Sequence, residues 1–321
     1  MPESILTTKL QPSPLREPAV HRPRLTAKLA RAAAHRLTVI AAPAGFGKST
    51  LLGAWLATEA ARAGWLALDP HDDAAPRFLR YLVAALQQID STIGSQALAL
   101  LDSGHIPATE TVLATLINDL AATARPAFLV LDDYHVIESP AIHAALDFLL
   151  AHAPPQLHLV IAGRATPPLA LARLRSQAQL LEIHAADLRF TATEIDEFLG
   201  AVMHLDLPPA DRIALEMRTE GWVAGLQLAA LSLQGEDDKH AFIAAFRGAD
   251  RHIADYLFEE VLRHLSPARQ RFLLCTSVAD QLCAGLCDAI NGGSDGQATL
   301  ENLDRANLFV VPLDHDRRWY R

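Results

Sequence analysis

Residues 37–50 read LTVIAAPAGFGKST, and this stretch decides the fold class. An apolar run leads into a loop with two glycines, which is followed by Lys48, Ser49 and Thr50 and then by the helical pattern LLGAWLATEAARA. The P-loop pattern, Gly-x-x-x-x-Gly-Lys-Ser/Thr between a strand and a helix, has Ala42 in place of its first glycine here. Because alanine is small and lies at the end of the predicted strand, we expect the loop to keep its shape. The stretch therefore predicts a P-loop nucleotide-binding domain.

The residue types of this loop fit phosphate binding. Glycines let the backbone turn tightly and point N–H groups at phosphate oxygens, where the N-terminus of the next helix adds its positive dipole. Lys48 is expected to reach the β- and γ-phosphates, the Ser49 hydroxyl to ligate Mg²⁺, and Thr50 to lie near the α-phosphate. The alternative is an ordinary glycine turn with a solvated lysine, which the strand–loop–helix context disfavours. The residues predicted to bind ATP or ADP are Pro43, Ala44, Gly45, Phe46, Gly47, Lys48, Ser49 and Thr50.

A second apolar run ends in two acidic residues, in the stretch FLVLDDYH. Downstream of a P-loop, this pattern is typical of the strand that supplies the acidic partner of Mg²⁺. Asp132 is the predicted magnesium partner, together with Ser49, and Asp133 is the candidate that orients or deprotonates an attacking water. The alternative is a pair of solvated aspartates that open a turn.

Short apolar runs alternate with longer amphipathic stretches over the first part of the chain. Buried strands that alternate with helices indicate βαβ units and a mostly parallel sheet covered on both faces. In one subgroup of P-loop proteins, another strand of the sheet lies between the P-loop strand and the Asp-Asp strand. We expect this arrangement here, so the predicted fold is α/β with the strand order 5-1-4-3-2. The runs that predict strands are residues 37–42, 65–68, 127–132, 157–163 and 180–184.

The fourth run, LHLVIAG, is followed directly by Arg164. Open parallel sheets bind ligands beyond the carboxyl ends of their strands. Arg164 is therefore predicted to face the γ-phosphate and to sense its presence. The alternative is a solvated arginine in a loop.

Two groups of residues after the second run are assigned to structure rather than to the site. Phe78 and Tyr81 are spaced as one face of a helix and are predicted to lie in the core. Asp69, Asp72 and Asp73 follow the strand, and a solvated loop is favoured for them over the rim of the nucleotide site.

The pattern changes near residue 190. Thr191 and Glu194 form a capping-box signal, with Phe190 as a hydrophobic staple, and only helical periodicity follows. Ser266 is a predicted N-cap with Pro267 at the first helical position. The stretch LFVVPLD then reads as a strand, and the sequence stops in an apparent hairpin, so we expect a fragment of a longer protein. The predicted segments are an entry segment (1–35), a P-loop domain (36–190), a helical domain (191–260) and a truncated last domain (261–321).

Composition narrows the function classes. The chain has 321 residues, 50% of them hydrophobic, which is enough for two or three domains with real cores. A formal net charge of −9 without a long basic run predicts that this chain does not grip nucleic acid by itself. No signal peptide or membrane-spanning run is present, so a cytoplasmic protein is expected. Cys275, Cys283 and Cys287 lack further ligands at metal spacing and are predicted to be buried, reduced thiols.

Taken in order, these stretches resemble those of a known family. The chain resembles the signal-transducing ATPases with numerous domains (STAND), and within them the maltose-regulon activator type of large LuxR-family transcriptional regulators. The resemblance covers essentially the whole chain, and it is carried by ILTTKLQPSP, VHRPRL, APAGFGKST, LVLDDYHVI, LVIAGR, LRFTATEIDEFL, TEGWVAGLQLAAL and LSPARQRFLLCTSV.

The resemblance implies a nucleotide-binding domain, a helical domain and a winged-helix domain as the last unit. It also implies a superhelical sensor for a small-molecule inducer and a C-terminal helix-turn-helix for DNA, neither of which lies in this sequence. VHRPRL matches the entry segment on the adenine side, which makes Arg22 a candidate contact to the base or ribose. TEGWVAGL lies where related ATPases carry a Gly-x-Pro turn near the nucleotide. Because the proline is missing here, no nucleotide contact is assigned to Gly221 or Gly225.

The resemblance further implies a switch with slow ATPase activity. ADP would hold the units closed and monomeric, and exchange for ATP would permit self-association. The alternative is a metabolic enzyme such as a P-loop kinase, whose lid would be the arginine-rich stretch RATPPLALARLRSQ. A third possibility is direct DNA binding by the winged helix, but the region after Ser266 mixes acids with arginines and lacks a clear basic recognition helix.

Overall fold

The computed structural model describes residues 5–15, 18–58, 62–103, 108–123, 126–245 and 251–321. Residues 1–4 and 16–17 of the predicted entry segment lie outside this part. The chain forms two compact units, Met1–Ala41 with Gly47–Leu188, and Ala42–Phe46 with Arg189–Arg321. The division into four segments that the sequence predicts stays a prediction.

The first unit is built on a five-stranded parallel sheet. Its strands are β1 (Leu37–Ala41), β2 (Arg62–Ala67), β3 (Ala127–Asp132), β4 (Leu157–Gly163) and β5 (Leu180–His184). The strand order is β2-β3-β4-β1-β5, and every pairing is parallel. Read from the other edge, this is 5-1-4-3-2, so the predicted α/β fold is confirmed.

Helices cover both faces of this sheet, which explains why β1, β3 and β4 are buried along their whole length. Phe78 and Tyr81 lie in the core, as predicted, and Trp55 packs edge-on against Phe128 of β3, with ring centroids 4.8 Å apart. The helices are α1 (Pro23–Leu29), α2 (Lys48–Thr58), α3 (Ala75–Ile89), α4 (Ser95–Asp102), α5 (Thr109–Ala121), α6 (Pro140–His152), α7 (Leu171–Ser176) and α8 (Ala185–Leu188).

The acidic residues after β2 are not a solvated loop, and this prediction was wrong. Asp69 caps the 3₁₀ turn Pro70–Asp72 in a capping box, and Asp72 is completely buried. The Asp72 carboxylate accepts hydrogen bonds from Lys9 and from Nε of Arg77, the latter at 3.0 Å. The sequence could not indicate this burial, because Lys9 is remote in the chain and reaches the acids through the fold.

The second unit is helical. Its helices are α9 (Ala192–Glu197), α10 (Pro209–Thr219), α11 (Val223–Leu233), α12 (Lys239–Ala245), α13 (Arg251–Glu260), α14 (Pro267–Thr276), α15 (Ala284–Asn291) and α16 (Gly296–Arg305). The capping box that begins α9 is confirmed by reciprocal hydrogen bonds between Thr191 and Glu194. Ser266 caps α14 with Pro267 at the first position, as predicted.

A separate small core lies at the C-terminal end of this unit. It contains Phe272, Leu282, Cys287, Leu300, Leu303, Val310 and Tyr320. The cysteines form no disulfide, and the prediction that all three are buried holds only for Cys287, since Cys275 and Cys283 are half-buried.

The strand predicted over LFVVPLD (308–314) is wrong. These residues, all of them described, form only an isolated bridge at Pro312. Phe309 has a φ of 59°, which interrupts the extended backbone that a strand through these residues would need. The reversal itself is present, because Val311 and Arg321 exchange two backbone hydrogen bonds of 2.9 Å.

In the described part of the chain, no helix is both long and apolar enough to cross a membrane.

Candidate functional site

The first unit brings five of the predicted site residues to one edge of its sheet. Lys48 is the first residue of α2, which follows β1, and Ser49 is the second. Asp132 is the last residue of β3, with Asp133 next to it, and Arg164 follows β4. Because β1, β3 and β4 are parallel neighbours in the sheet, their carboxyl ends lie at the same edge.

Lys48 is held in a buried position, with only 7% of its surface exposed. Burial lowers the pKa of its ammonium group to about 8. The carboxylates of Asp133 and Asp132 oppose this pKa shift, and the guanidinium of Arg164 adds to it. Arg164 therefore lies within electrostatic reach of Lys48, and the two cations repel each other. An anionic ligand between them would relieve both the repulsion and the missing solvation.

At the same edge, the pKa of Asp132 is shifted in the opposite direction to that of Lys48. Burial, reinforced by the charge of Asp133, raises the pKa of Asp132 to about 6. The hydroxyl of Ser49 donates a hydrogen bond to this carboxylate, and the backbone N–H of Asp133 donates another at 3.0 Å. A carboxylate and a hydroxyl side by side are oxygen donors of the kind that Mg²⁺ prefers.

The donor set fits a metal that is shared with a ligand rather than one caged by protein. Among the described residues, no group of three or more His, Cys, Asp or Glu side chains could hold a metal ion alone. Mg²⁺ keeps several waters and is usually bound through one or two carboxylates plus phosphate oxygens. Ser49 and Asp132 satisfy that requirement, so the residues present fit the ion.

Asp133 has an unusual backbone for a residue at the end of a strand. Its φ and ψ are 55° and 33°, in the left-handed region that Asp tolerates better than most residues. About half of its side chain is exposed (49%), and its Oδ1 lies 3.8 Å from Nδ1 of His135. Asp133 is thus accessible to a water in a way that the buried Asp132 is not.

The first half of the loop, Ala42–Phe46, groups with the second unit. Gly45 has a φ of +75°, and its carbonyl oxygen accepts a hydrogen bond from the backbone N–H of Ala224 at 3.0 Å. The carbonyl of Ala44 accepts a hydrogen bond from Nε1 of Trp222 at 3.1 Å. Gly47 also has a positive φ, +74°, but a Cβ there would have no atom of the described residues within 4 Å, its chain neighbours aside. The described residues therefore leave open space around the Cβ position of Gly47.

Arg22 is not one of the residues whose charges shift the pKa values of Lys48 and Asp132. It is buried just before α1, and its guanidinium donates a hydrogen bond of 2.7 Å to the carbonyl of Leu188. Its contact with a base or ribose stays a prediction. Thr50 is exposed in the first turn of α2.

The sequence did not indicate Trp222, Ala224 and Tyr256 as neighbours of the loop. Their contacts with Ala44 and Gly45 join positions about 180 residues or more apart, as in the separation of 178 between Trp222 and Ala44. The one available signal was the aromatic residue of the TEGWVAGL motif, whose periodicity reads only as a helix.

Comparison with known proteins gives consistent results. Residues 258–321 match the MalT winged helix domain. The chain is 36% identical over 318 residues to the HTH-type transcriptional regulator MalT of Cronobacter sakazakii, an alignment that covers 98% of this chain and 35% of that protein. It is 37% identical over 319 residues to MalT of Serratia proteamaculans, covering 97% and 35% of the two chains. The chain thus spans about a third of the length of the curated relatives it matches.

Among solved structures, the Walker-type ATPase PABY2304 of Pyrococcus abyssi superposes with a TM-score of 0.67 at 18% identity, covering 98% of this chain and 97% of the other. This similarity shows the fold. Together with the winged-helix match, it confirms the predicted combination of a P-loop sheet and a C-terminal winged helix.

Proposed function

Because the chain is homologous over nearly its whole length to MalT-like HTH-type transcriptional regulators and carries their winged-helix domain, we propose that it is the ATP-binding switch module of such a regulator. The module binds ATP or ADP with Mg²⁺ and hydrolyses ATP slowly. It works in the cytoplasm, and its inducer and DNA are bound by parts of the protein outside this sequence.

The observation that supports nucleotide binding best is the burial of two groups of opposite charge at the sheet edge. Burial lowers the pKa of Lys48 and raises the pKa of Asp132, and each shift favours the neutral form of the group. A magnesium-bound polyphosphate would supply the missing charge to each, the anion to Lys48 and the cation to Asp132. Uncharged ligands would relieve neither group.

Each residue then has a role in the proposed site. Lys48 and the backbone N–H groups of residues 44–50 hold the phosphates, and Ser49 and Asp132 hold Mg²⁺. The bound ion neutralises charge on the phosphate oxygens. Asp133, which is exposed and lies beside Asp132, orients a water or accepts its proton.

Arg164 gives the module a means to distinguish ATP from ADP. A ligand shifts a conformational equilibrium only by its differential affinity for the two states. An arginine that contacts only the γ-phosphate provides such a difference. We therefore propose an ADP-bound closed state and an ATP-bound state that self-associates.

A kinase lid finds less support. Of the arginines in the stretch 164–177, Arg175 forms a two-pronged ion pair with Glu182 of β5, with distances of 2.8 and 3.1 Å. A side chain committed to its own sheet is poorly available to a transferred phosphoryl group.

The first test is to purify the chain, denature it and identify any nucleotide that is released. We expect ADP or ATP, and we expect Lys48→Ala to release none and to bind added Mg-ATP at least tenfold more weakly, because charged hydrogen bonds contribute about 1.5–3 kcal/mol each. Lys28→Ala is the matched control, since Lys28 pairs with Asp187 in a partly exposed position. Folded wild-type protein that is empty and binds no added Mg-ATP would refute the proposed function.

A further inference from the structure

A tight turn between α10 and α11 contains Trp222. Glu220 and Gly221 have φ values of 49° and 72°, so the chain reverses sharply at these residues. The turn is fixed within the second unit, because the carbonyl of Gly221 accepts a hydrogen bond of 2.8 Å from the N–H of Phe190. A Cβ on Gly221 would lie 2.5 Å from the carbonyl oxygen of Phe190, so this position requires glycine. Trp222 thus projects from a rigid point of the backbone.

Two donors from this turn bind consecutive carbonyls of the loop. The indole Nε1 of Trp222 binds the oxygen of Ala44 at 3.1 Å, and the N–H of Ala224 binds the oxygen of Gly45 at 3.0 Å. The N–H of Ala224 lies in the first turn of α11 and has no partner inside the helix. The loop therefore satisfies a donor that the helix would otherwise leave open.

Close packing accompanies these hydrogen bonds. A Cβ on Gly45 would lie 2.4 Å from Cβ of Ala224 and 2.9 Å from both Nε1 of Trp222 and the hydroxyl of Tyr256. The rings of Trp222 and Tyr256 are themselves in contact, with centroids 5.7 Å apart. The backbone at Gly45 can approach Trp222 this closely only because it has no side chain.

Peptide geometry converts these contacts into a direction for the loop. In a planar trans peptide, the C=O and the following N–H point in opposite directions. Fixing the Ala44 carbonyl against Trp222 therefore aims the N–H of Gly45 away from Trp222. Fixing the Gly45 carbonyl against Ala224 does the same for the N–H of Phe46.

We propose that Trp222 is a positioning residue of the phosphate loop, which orients the N–H groups of Gly45 and Phe46 toward the phosphates of ATP or ADP. This inference rests on the proposed nucleotide binding. It assigns to the turn at residues 220–224 a role exerted through the backbone of the loop rather than by contact with the nucleotide.

The test is Trp222→Phe, which removes the indole N–H and keeps an aromatic ring. Loss of one such hydrogen bond is expected to weaken the binding of both Mg-ADP and Mg-ATP by roughly three- to tenfold. The matched control is Trp319→Phe, because Trp319 lies in the same unit and is 46% exposed. We expect this control to keep wild-type affinity.

Fluorescence tests whether nucleotide binding changes the surroundings of Trp222. We expect saturating Mg-ADP to change the tryptophan emission of the wild type and of Trp319→Phe, and we expect this change to be absent from Trp222→Phe at saturation. Equal affinities of Trp222→Phe and Trp319→Phe, or an emission change of the same size in Trp222→Phe as in the wild type, would overturn the inference. A wild type that binds no nucleotide would instead defeat the proposed function, and the inference with it.

If Trp222→Phe does not fold, the contact can be tested from the loop. Gly45→Ala and Gly47→Ala carry the same backbone cost, since both residues have φ near +75°, but only Gly45 would meet Trp222 and Ala224. We expect Gly45→Ala to lower the melting temperature of the nucleotide-free protein clearly more than Gly47→Ala. Equal melting temperatures would contradict the contact with Trp222.

Discussion

At the scale of single residues, Lys48 and Asp132 are charged groups kept where charge is costly. Burial moves the pKa of Lys48 down to about 8 and that of Asp132 up to about 6. Strongly shifted pKa values at the end of parallel strands are typical of functional sites. In the free protein these groups are poorly solvated. A ligand of the opposite charge would relieve this cost when it binds, and the gain would contribute to its affinity.

The pKa of Asp132 predicts how stability depends on pH. The value is raised from 3.8 to about 6, so between these pH values the unfolded carboxyl loses its proton while the folded one keeps it. The free energy of unfolding of the nucleotide-free protein should therefore fall as pH rises from about 4 to about 7, by at most about 3 kcal/mol relative to Asp132→Asn. Urea unfolding of both proteins across this range measures the difference.

Binding of Mg-ATP should respond to pH in the opposite sense. A protonated Asp132 cannot accept the metal, so affinity should rise as pH increases through about 6, and Asp132→Asn should lack this step. In the urea unfolding experiment, parallel stability curves for the wild type and Asp132→Asn would show that Asp132 does not titrate in this pH window.

At the scale of elements, a short N-terminal turn is fastened to the first unit by a buried ion pair. Lys9, in the 3₁₀ turn Thr7–Leu10, binds Asp69 at 2.9 Å and also contacts the buried Asp72. Its ammonium group lies 4.6 Å from the centroid of the Tyr81 ring, and the hydroxyl of Tyr81 accepts a hydrogen bond from the N–H of Leu6. Asp69 and Asp72, which the sequence assigned to a solvated loop, thus anchor the turn Thr7–Leu10.

Removal of Lys9 should be costly because it leaves a buried carboxylate short of a partner. We expect Lys9→Ala to lower the free energy of unfolding of the first unit by about 2–3 kcal/mol, since Arg77 still binds Asp72. Lys28→Ala breaks the partly exposed pair with Asp187 and should cost less than about 1 kcal/mol. Denaturant unfolding compares the two, and equal losses would mean that burial of Asp72 does not matter.

At the scale of the whole molecule, the proposed switch requires that one group report the γ-phosphate. Arg164 is the candidate, because it follows β4 and acts electrostatically on Lys48. Its removal should spare the interactions that ADP makes and abolish those that ATP alone makes.

We expect the wild type to associate with itself in Mg-ATP and to stay monomeric in Mg-ADP. Arg164→Ala should bind Mg-ADP within about twofold of the wild type, bind Mg-ATP at least tenfold more weakly, and fail to associate, because a charged contact contributes about 1.5–3 kcal/mol. Arg173→Ala is the control, an exposed arginine of α7. Titration calorimetry and sedimentation velocity give the two readings. An equal loss of ADP and ATP affinity would contradict the role of Arg164 as a sensor.

The sequence by itself determined the features that depend on short-range patterns. Strand β1 followed by the glycine loop, the Asp-Asp end of β3, and the caps at Thr191 and Ser266 are where the residue types indicate. Each is specified within a few neighbours, by hydrophobic period, by glycine conformation or by a side chain that caps its own helix. The order of the strands also followed, because it came with the resemblance to a P-loop subgroup.

Tertiary structure alone decided which distant groups meet. The burial of Asp72 depends on Lys9, and the hold on Ala44 depends on Trp222, which is 178 residues away. The residues of LFVVPLD have strand propensity, yet the left-handed conformation of Phe309 interrupts the extended backbone. Local patterns carry no information about such partners, because the free energy that settles them comes from packing and desolvation in the folded chain.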